Sequence, residues 1–218
     1  MTDHPTAPSC AIIDFNGVLG RQPTQGDWES LARSAAWPAS LEQLQDAFWQ
    51  RRPAFDLGAI TAREFWAPLL APGADMQRTI DVDAAMWLDV DPQVLGILQD
   101  ARSLGLRLVM LSNAPRSVAQ SITAAPWSQL FEALVFSCYI GANKPDPQAY
   151  QAALEAIGRP DPSDVVMVDD RRDNITSAVR LGLTGHHYQG RLDHLSCALL
   201  EPAAAPRRGH LQLVTSTP

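Results

Sequence analysis

The chain has 218 residues, which suffices for one large domain or for one domain that carries a smaller insert. Hydrophobic residues make up 46% of the sequence and charged residues 19%, a balance that excludes an intrinsically disordered chain. The net charge is −7 and no basic stretch is present, so we expect no binding to nucleic acid. No apolar run is long enough to span a membrane, and the first nine residues lack a signal-peptide pattern. We therefore expect a cytoplasmic protein that does not bind a membrane.

Short apolar runs of strand length alternate with helical patterns along most of the chain. Strands are predicted at residues 10–14, 106–111, 133–137, 165–169 and 184–188. Helices are predicted from Asp91-Pro92 to Gly105, over 147–157 and over 173–181. This alternation predicts an α/β fold, namely a Rossmann-like parallel sheet with helices on both faces.

The segment 21–87 has a different pattern, because it contains no convincing strand. Two capping-box sequences start at Ser40 and Thr61, and five of the six tryptophans lie in this segment. We predict a small all-helical cap domain over 21–87, with the tryptophans as its core rather than as a ligand cage. The sheet domain then comprises residues 10–20 and 88–200, and residues 1–9 and 201–218 are expected to be flexible tails.

Polar side chains follow three of the predicted strands. Asp14 follows the first strand, Ser112 and Asn113 follow the second, and Asp169 and Asp170 follow the fourth. Each of these alone is more often a turn or a helix cap, but the carboxyl ends of parallel strands meet at one edge, where ligands bind. Acids that converge there repel each other unless a cation or a proton intervenes, and oxygen ligands favour Mg²⁺.

One residue stands out in the composition. Lys and Arg together number 17, yet Lys144 is the single lysine. A lysine retained in such an arginine-rich chain is a candidate for a role that arginine cannot fill, such as neutralising a phosphate or a phosphorylated aspartate. Chance is the alternative explanation.

Taken in order, these motifs resemble those of the haloacid dehalogenase (HAD) superfamily of hydrolases, over most of the chain. The four segments that carry the resemblance are 12–19 (IIDFNGVL), 111–113 (LSN), 143–147 (NKPDP, followed by Tyr150) and 168–170 (VDD, followed by 173–175, DNI). The helical insert lies where the helical-cap members of the superfamily carry their cap. The resemblance therefore implies a phosphatase or related hydrolase that acts on a small phosphorylated molecule.

The resemblance also implies a role for each matching residue. Asp14 would attack phosphorus and form an aspartyl-phosphate, Ser112 and the amide of Asn113 would bind the phosphoryl oxygens, and Lys144 would neutralise charge. The implied ligands of Mg²⁺ are a carboxylate oxygen of Asp14, the backbone carbonyl of Asn16 and the carboxylate of Asp170, supported by Asp169 or Asn174. Gly17, Arg52 and Arg116 are the remaining candidates for substrate binding, and a solvated helix face is the alternative for Arg52.

The sequence departs from the family pattern at Asn16, where phosphatases normally carry a second Asp that exchanges a proton with the leaving group and with water. An amide cannot exchange a proton near neutral pH. Four explanations stay open: a phosphatase or phosphotransferase with an easy leaving group or a proton donor from the cap or the substrate; a weakly active phospho-ligand-binding regulatory protein; a metal-independent 2-haloacid dehalogenase; and an engineered substitution. The pair of acids at 169 and 170 argues against the dehalogenase. The substrate and the oligomeric state cannot be read from the sequence.

Overall fold

The computed structural model describes residues 8–200, so the predicted flexible tails lie outside the described residues except for Pro8 and Ser9. The strands are β1 (Cys10–Ile13), β2 (Arg107–Ser112), β3 (Ala133–Phe136), β4 (Val165–Asp169) and β5 (Thr184–His187). They form one parallel sheet in the order β3-β2-β1-β4-β5. The predicted α/β class is confirmed, and β2 lies one residue further along the chain than predicted.

Helices cover both faces of this sheet. They are α5 (Pro92–Ser103), α6 (Arg116–Ala124), α7 (Ser137–Ile140), α8 (Pro147–Ala156), α9 (Arg172–Arg180) and α10 (Leu192–Leu200). Alternate residues of β1 point to opposite faces: Ala11 and Ile13 join the apolar cluster under α5, α6 and α10, whereas Cys10 and Ile12 join the cluster under α8 and α9. The sequence pattern did not predict α10, and Ser137, predicted as the end of β3, begins α7.

Within the described residues, the segment 21–87, between β1 and α5, contains helices and no strand. It contains α1 (Gln25–Ser34), α2 (Leu41–Asp56), α3 (Ala62–Trp66) and α4 (Met76–Met86). Both predicted capping boxes are present, at the starts of α2 and α3, and a third starts α1. This helical insert (residues 21–87) packs on the sheet domain through α4 against α6 and through α2 against α7.

The tryptophans of the insert follow the prediction with one exception. Trp28, Trp66 and Trp87 are buried in the core, and Trp37 is partly buried and packs against it. Trp49, in contrast, leaves 48% of its surface exposed. Because one face of α2 borders a cavity, a large side chain on that face need not be part of the core.

Strand register determines which strand ends lie together. Ile13 of β1 pairs with Met110 of β2 and with Val168 of β4, so Asp14, which follows β1, is level with Asp169, the last residue of β4. The central position of β1 puts Asp14 between the ends of its two neighbours. Among residues 8–200, none of the helices combines the length and the apolar character needed to cross a membrane.

Candidate active site

Asp14 lies at the centre of the carboxyl edge of the sheet. Its backbone N–H donates to the Val168 carbonyl at 2.9 Å, which fixes the turn out of β1. Its Oδ1 accepts from the Phe15 N–H and lies 2.7 Å from the Nζ of Lys144. Burial raises the pKa of Asp14 above its ordinary value, and the positive charge of Lys144 opposes that rise. A carboxylate in this position is a nucleophile or a metal ligand held by a fixed cation.

Lys144 is buried between two carboxylates. Its Nζ lies 2.7 Å from Asp14 Oδ1 and 2.7 Å from Asp169 Oδ2, and only 2% of its side chain is exposed. Burial alone would lower the pKa of Lys144, but the two carboxylates hold it above its ordinary value. The ammonium therefore stays charged beside Asp14.

Asp169 is the second carboxylate that holds Lys144. Its side chain is fully buried, and both of its oxygens accept hydrogen bonds: Oδ1 from the Arg171 N–H and from Asn174 Nδ2, and Oδ2 from Lys144 Nζ. The neighbouring Arg171 guanidinium pairs with Asp173. Asp169 thus orients Lys144, and both of its oxygens are engaged in hydrogen bonds.

Three carboxylates converge at this edge. One oxygen each of Asp14, Asp169 and Asp170 lie within 4.8 Å of one another, a spacing that could hold a metal ion. Gly17 has a φ of +83°, and a Cβ at this position would lie 2.3 Å from Asp170 Oδ2. The turn after β1 therefore needs glycine twice over: for its backbone conformation and for the close approach of Asp170. Burial and the charge of Asp169 raise the pKa of Asp170.

Two amide oxygens beside these carboxylates are buried without a partner among the described residues. They are Asn16 Oδ1 and Asn174 Oδ1. The Asn174 amide is oriented by its Nδ2, which donates to Asp169 at 2.9 Å. A buried acceptor without a donor is unfavourable, so this part of the site suits a hydrated cation, whose water molecules are donors. The donor set, made of oxygens only, fits Mg²⁺ on the same grounds.

A cavity of about 420 Å³ opens above these residues. Eight of the predicted site residues line it: Asp14, Asn16, Arg52, Ser112, Asn113, Lys144, Asp170 and Asn174. Asp169 lies beneath Lys144, and Gly17 lies against Asp170. Arg116 is not part of the lining, because its guanidinium stacks 5.1 Å from the ring centroid of Tyr139. The structure thus brings together nearly all of the predicted set.

The wall contributed by the insert includes residues that the sequence analysis missed. Trp49, Pro53 and Asp56 of α2 line the cavity together with Trp87, near the end of α4. Residues 49, 52, 53 and 56 recur at three- and four-residue intervals, so they share one helix face. That spacing was visible in the sequence, but nothing in it indicated that this face of α2 meets a cavity.

Arg52 is the centre of a buried charge network on this wall. Its Nε donates to Asp56 Oδ1 at 2.6 Å and its Nη1 donates to Asp83 Oδ1 at 3.3 Å. The guanidinium also lies 5.0 Å from the ring centroids of both Phe48 and Trp87. These contacts already occupy the charge that was predicted to bind substrate, and the role of Arg52 in substrate binding stays a prediction.

Hydrogen bonds fasten this wall to the loops of the sheet domain. Ser137 Oγ donates to the Asp56 carbonyl at 2.6 Å and accepts from the Ala114 N–H at 3.0 Å. Asn143 Nδ2 donates to the Pro53 carbonyl at 2.9 Å. Ala114 follows Asn113 and Asn143 precedes Lys144, so the end of α2 is attached directly to two of the loops that form the site.

Asp14 follows the central strand of a parallel α/β sheet and is held by a buried lysine. This is the arrangement of the class of hydrolases that the sequence motifs resemble. A family model for haloacid dehalogenase-like hydrolases matches residues 9–182, and the chain belongs to that family. The predicted membership is thereby confirmed.

Several proteins similar to this chain are named phosphatases. The phosphatase MT3486 of Mycobacterium tuberculosis (strain CDC 1551 / Oshkosh) is 29% identical, over 69% of this chain and 73% of its own length. The validoxylamine A 7'-phosphate phosphatase of Streptomyces hygroscopicus subsp. limoneus is 28% identical, over 79% of this chain and 82% of its own. The HAD family enzyme BT-2542 of Bacteroides thetaiotaomicron, solved with magnesium and inorganic phosphate, has the same fold at 18% identity, with a TM-score of 0.69 over 84% of this chain and 96% of that one.

Proposed function

We propose that the protein is a Mg²⁺-dependent phosphatase of small phosphomonoesters, and that Asp14 is its nucleophile. One observation carries the proposal: Asp14 lies at the bottom of a cavity with its Oδ1 against the Lys144 ammonium, 2.7 Å away. This contact uses Oδ1 and not Oδ2, so one oxygen of a fixed carboxylate is available to attack. The family and the phosphatases similar to this chain support the same reaction class.

The metal would be held by Asp14, Asp170 and the backbone carbonyl of Asn16. Asp170 is the better direct ligand of the acid pair, because both oxygens of Asp169 already accept hydrogen bonds. The unpartnered oxygens of Asn16 and Asn174 would accept from water on the ion. When bound, Mg²⁺ neutralises negative charge on the phosphoryl group.

The residues of this chain would bind and orient the phosphate. Ser112 ends β2 and lines the cavity beside Asn113, so the Ser112 hydroxyl and the Asn113 N–H are donors for phosphoryl oxygens. Lys144 would offset the negative charge that gathers as Asp14 approaches phosphorus. We further propose that the insert, residues 21–87, is a cap domain over a core made of 10–20 and 88–200, and that its wall selects the small-molecule part of the substrate.

A metal-independent dehalogenase fits the site less well. Asp170 would then lie beside Asp14 and Asp169 without a cation, although burial already opposes the charge of two of these carboxylates. The second candidate, a phospho-ligand-binding protein with little turnover, is favoured by one observation: the side chain at 16 is an amide, which cannot carry a proton to the leaving group.

Turnover of a panel of phosphomonoesters, with Mg²⁺ and with the metal chelated, tests the proposal. We expect phosphate release that depends on Mg²⁺ and that is abolished in Asp14→Asn. Binding of Mg²⁺ and phosphate without turnover would instead support the binding protein. Halide release from a 2-haloacid without metal would overturn the phosphatase, and activity in Asp14→Asn would mean that the nucleophile is misassigned.

A further inference from the structure

Asp56 is the one carboxylate on the cavity wall that neither the nucleophile nor the metal site uses. The cavity lining contains three carboxylates, Asp14, Asp56 and Asp170, among the described residues. Asp14 and Asp170 belong to the cluster at the edge of the sheet, whereas Asp56 comes from the end of α2 in the insert. The same lining includes Asn16, at the position where a proton carrier is missing.

The backbone of Asp56 is fixed relative to the phosphate-binding loop. Its carbonyl accepts from Ser137 Oγ, which in turn accepts from the N–H of Ala114, two residues beyond Ser112. Gly58 packs so closely on α7 that a Cβ there would lie 2.9 Å from the Cys138 carbonyl. The backbone of Asp56 is therefore tied to the loop that carries Ser112 and Asn113, and Asp56 lines the same cavity as these two residues.

The charge balance around Asp56 favours a proton on it. Two carboxylates, Asp56 and Asp83, share the single guanidinium of Arg52, so the ionised network would carry a net negative charge in a buried place. Asp83 is fully buried and does not line the cavity, whereas the Asp56 side chain retains 13% exposure. Burial raises the pKa of Asp56 to about 6, opposed by Arg52 and reinforced by Asp83. The Cys138 thiol is a further titratable group near Asp56, because burial raises its pKa and the charge of Asp56 raises it further. A group of this kind is suited to exchange a proton near neutral pH.

We propose that Asp56 is the acid–base catalyst of this phosphatase, in place of the residue at position 16. The assignment rests on the proposed function. As the bond between Asp14 and phosphorus forms, the bond from phosphorus to the ester oxygen breaks, and the Asp56 carboxyl gives its proton to that oxygen. Water then attacks phosphorus and passes a proton to Asp56, and the Asp14–phosphorus bond breaks to release inorganic phosphate.

The test compares two esters of similar shape, phenyl phosphate and 4-nitrophenyl phosphate, with Mg²⁺ present and the enzyme in excess. Phenoxide is the poorer leaving group and needs the proton more. In Asp56→Asn, where the amide oxygen still accepts from Arg52 Nε, first-turnover release of phenol should fall by about 100-fold or more, and release of 4-nitrophenol by less than about tenfold. Retained nitrophenol release also shows that this variant is folded.

Asp83→Asn is the matched control, because it removes the other carboxylate on Arg52 and Asp83 does not itself line the cavity. It keeps the Asp56 carboxyl group but removes a charge that raises the pKa of Asp56, so the ratio of the two esters should stay closer to the wild-type ratio than in Asp56→Asn. The double variant Asn16→Asp/Asp56→Asn should recover phenol release, since it restores a proton carrier on the opposite side.

The possible failures are distinguishable. If phenol release and nitrophenol release fall by the same factor in Asp56→Asn, or if neither falls, the assignment of Asp56 is overturned and the proposed phosphatase activity is not. If Asp83→Asn loses as much phenol release as Asp56→Asn does, the assignment of Asp56 is also overturned, because the Arg52 network then acts only by holding the wall. Absence of turnover of every phosphomonoester by the wild-type protein overturns the proposed function, and the role of Asp56 with it.

Discussion

Asn113 holds the backbone of Lys144 on both sides. Its Nδ2 donates to the Lys144 carbonyl at 2.9 Å, and its Oδ1 accepts from the Lys144 N–H at 2.8 Å. The two residues are 31 positions apart and lie in loops that follow different strands of the sheet. The side chain of Asn113 thus fixes the base of the lysine whose ammonium lies against Asp14.

Replacing Asn113 with alanine should lower kcat and should also destabilise the fold. Loss of both hydrogen bonds leaves a backbone donor and acceptor unpaired, which costs about 1–3 kcal/mol. Lys144 can then shift away from Asp14, so kcat should fall while the affinity for Mg²⁺ stays the same. Steady-state kinetics and urea unfolding measure the two effects. Wild-type kcat in a variant with the expected loss of stability would show that Lys144 does not depend on this clamp.

Lys144→Arg should lose most of the activity although the charge is kept. The ammonium occupies a buried gap and is 2.7 Å from an oxygen on each side, and a longer planar guanidinium cannot take that position between Asp14 and Asp169. We expect a loss of about 100-fold or more in kcat/KM. Phosphate release by the purified variant, with far-ultraviolet circular dichroism as a check on folding, gives the answer. Full activity would reduce the single lysine of the sequence to coincidence.

Gly17→Ala should weaken Mg²⁺ binding. The added Cβ would lie 2.3 Å from Asp170 Oδ2, so the carboxylate proposed as a metal ligand has to move. Gly73→Ala is the matched control: its φ of +86° gives the same backbone strain, but nothing lies within 4 Å of its Cβ. Isothermal titration with Mg²⁺ should show weaker binding in the first variant only. Equal affinities would mean that Asp170 is not a ligand.

The sequence predicted the parts of the site that come from the sheet, because they lie where apolar strands end. The positions of Asp14, Ser112 and Asp169 follow from that rule alone. The contribution of α2 was missed for a physical reason. Polar and apolar residues are interspersed around this helix, so its pattern does not tell which face meets a cavity, and Asp56 could be found only from the packing of α2 against α7.

The long-range contacts were also beyond prediction. The bonds from Asn113 to Lys144 join side chain to backbone between distant loops, and no periodicity reports such a pairing. Arg52 was predicted to bind substrate because its charge was visible, whereas Asp83, the buried partner on α4, was not recognisable as one. Charge that is neutralised inside the fold looks the same in a sequence as charge that is free to bind a ligand.

The titration of Asp56 predicts how the stability of the fold depends on pH. Its pKa is about 6 in the folded protein against 3.8 without the environment of the fold, so the folded state holds this proton more tightly. The stability from this group is therefore fully present below pH 3.8 and is lost as the pH rises through about 6, by at most about 3 kcal/mol.

Asp56→Asn removes this loss, because an amide has no charge to bury. The difference in unfolding free energy, variant minus wild type, should increase as the pH rises from about 4 to above 6. Neutralising Asp56 also removes a negative charge near Asp83, whose pKa burial raises, and this acts in the same direction. Urea unfolding of both proteins across this range measures the difference. Parallel stability curves would show that Asp56 is ionised throughout, and a carboxylate that never takes up a proton near pH 6 is not an acid catalyst.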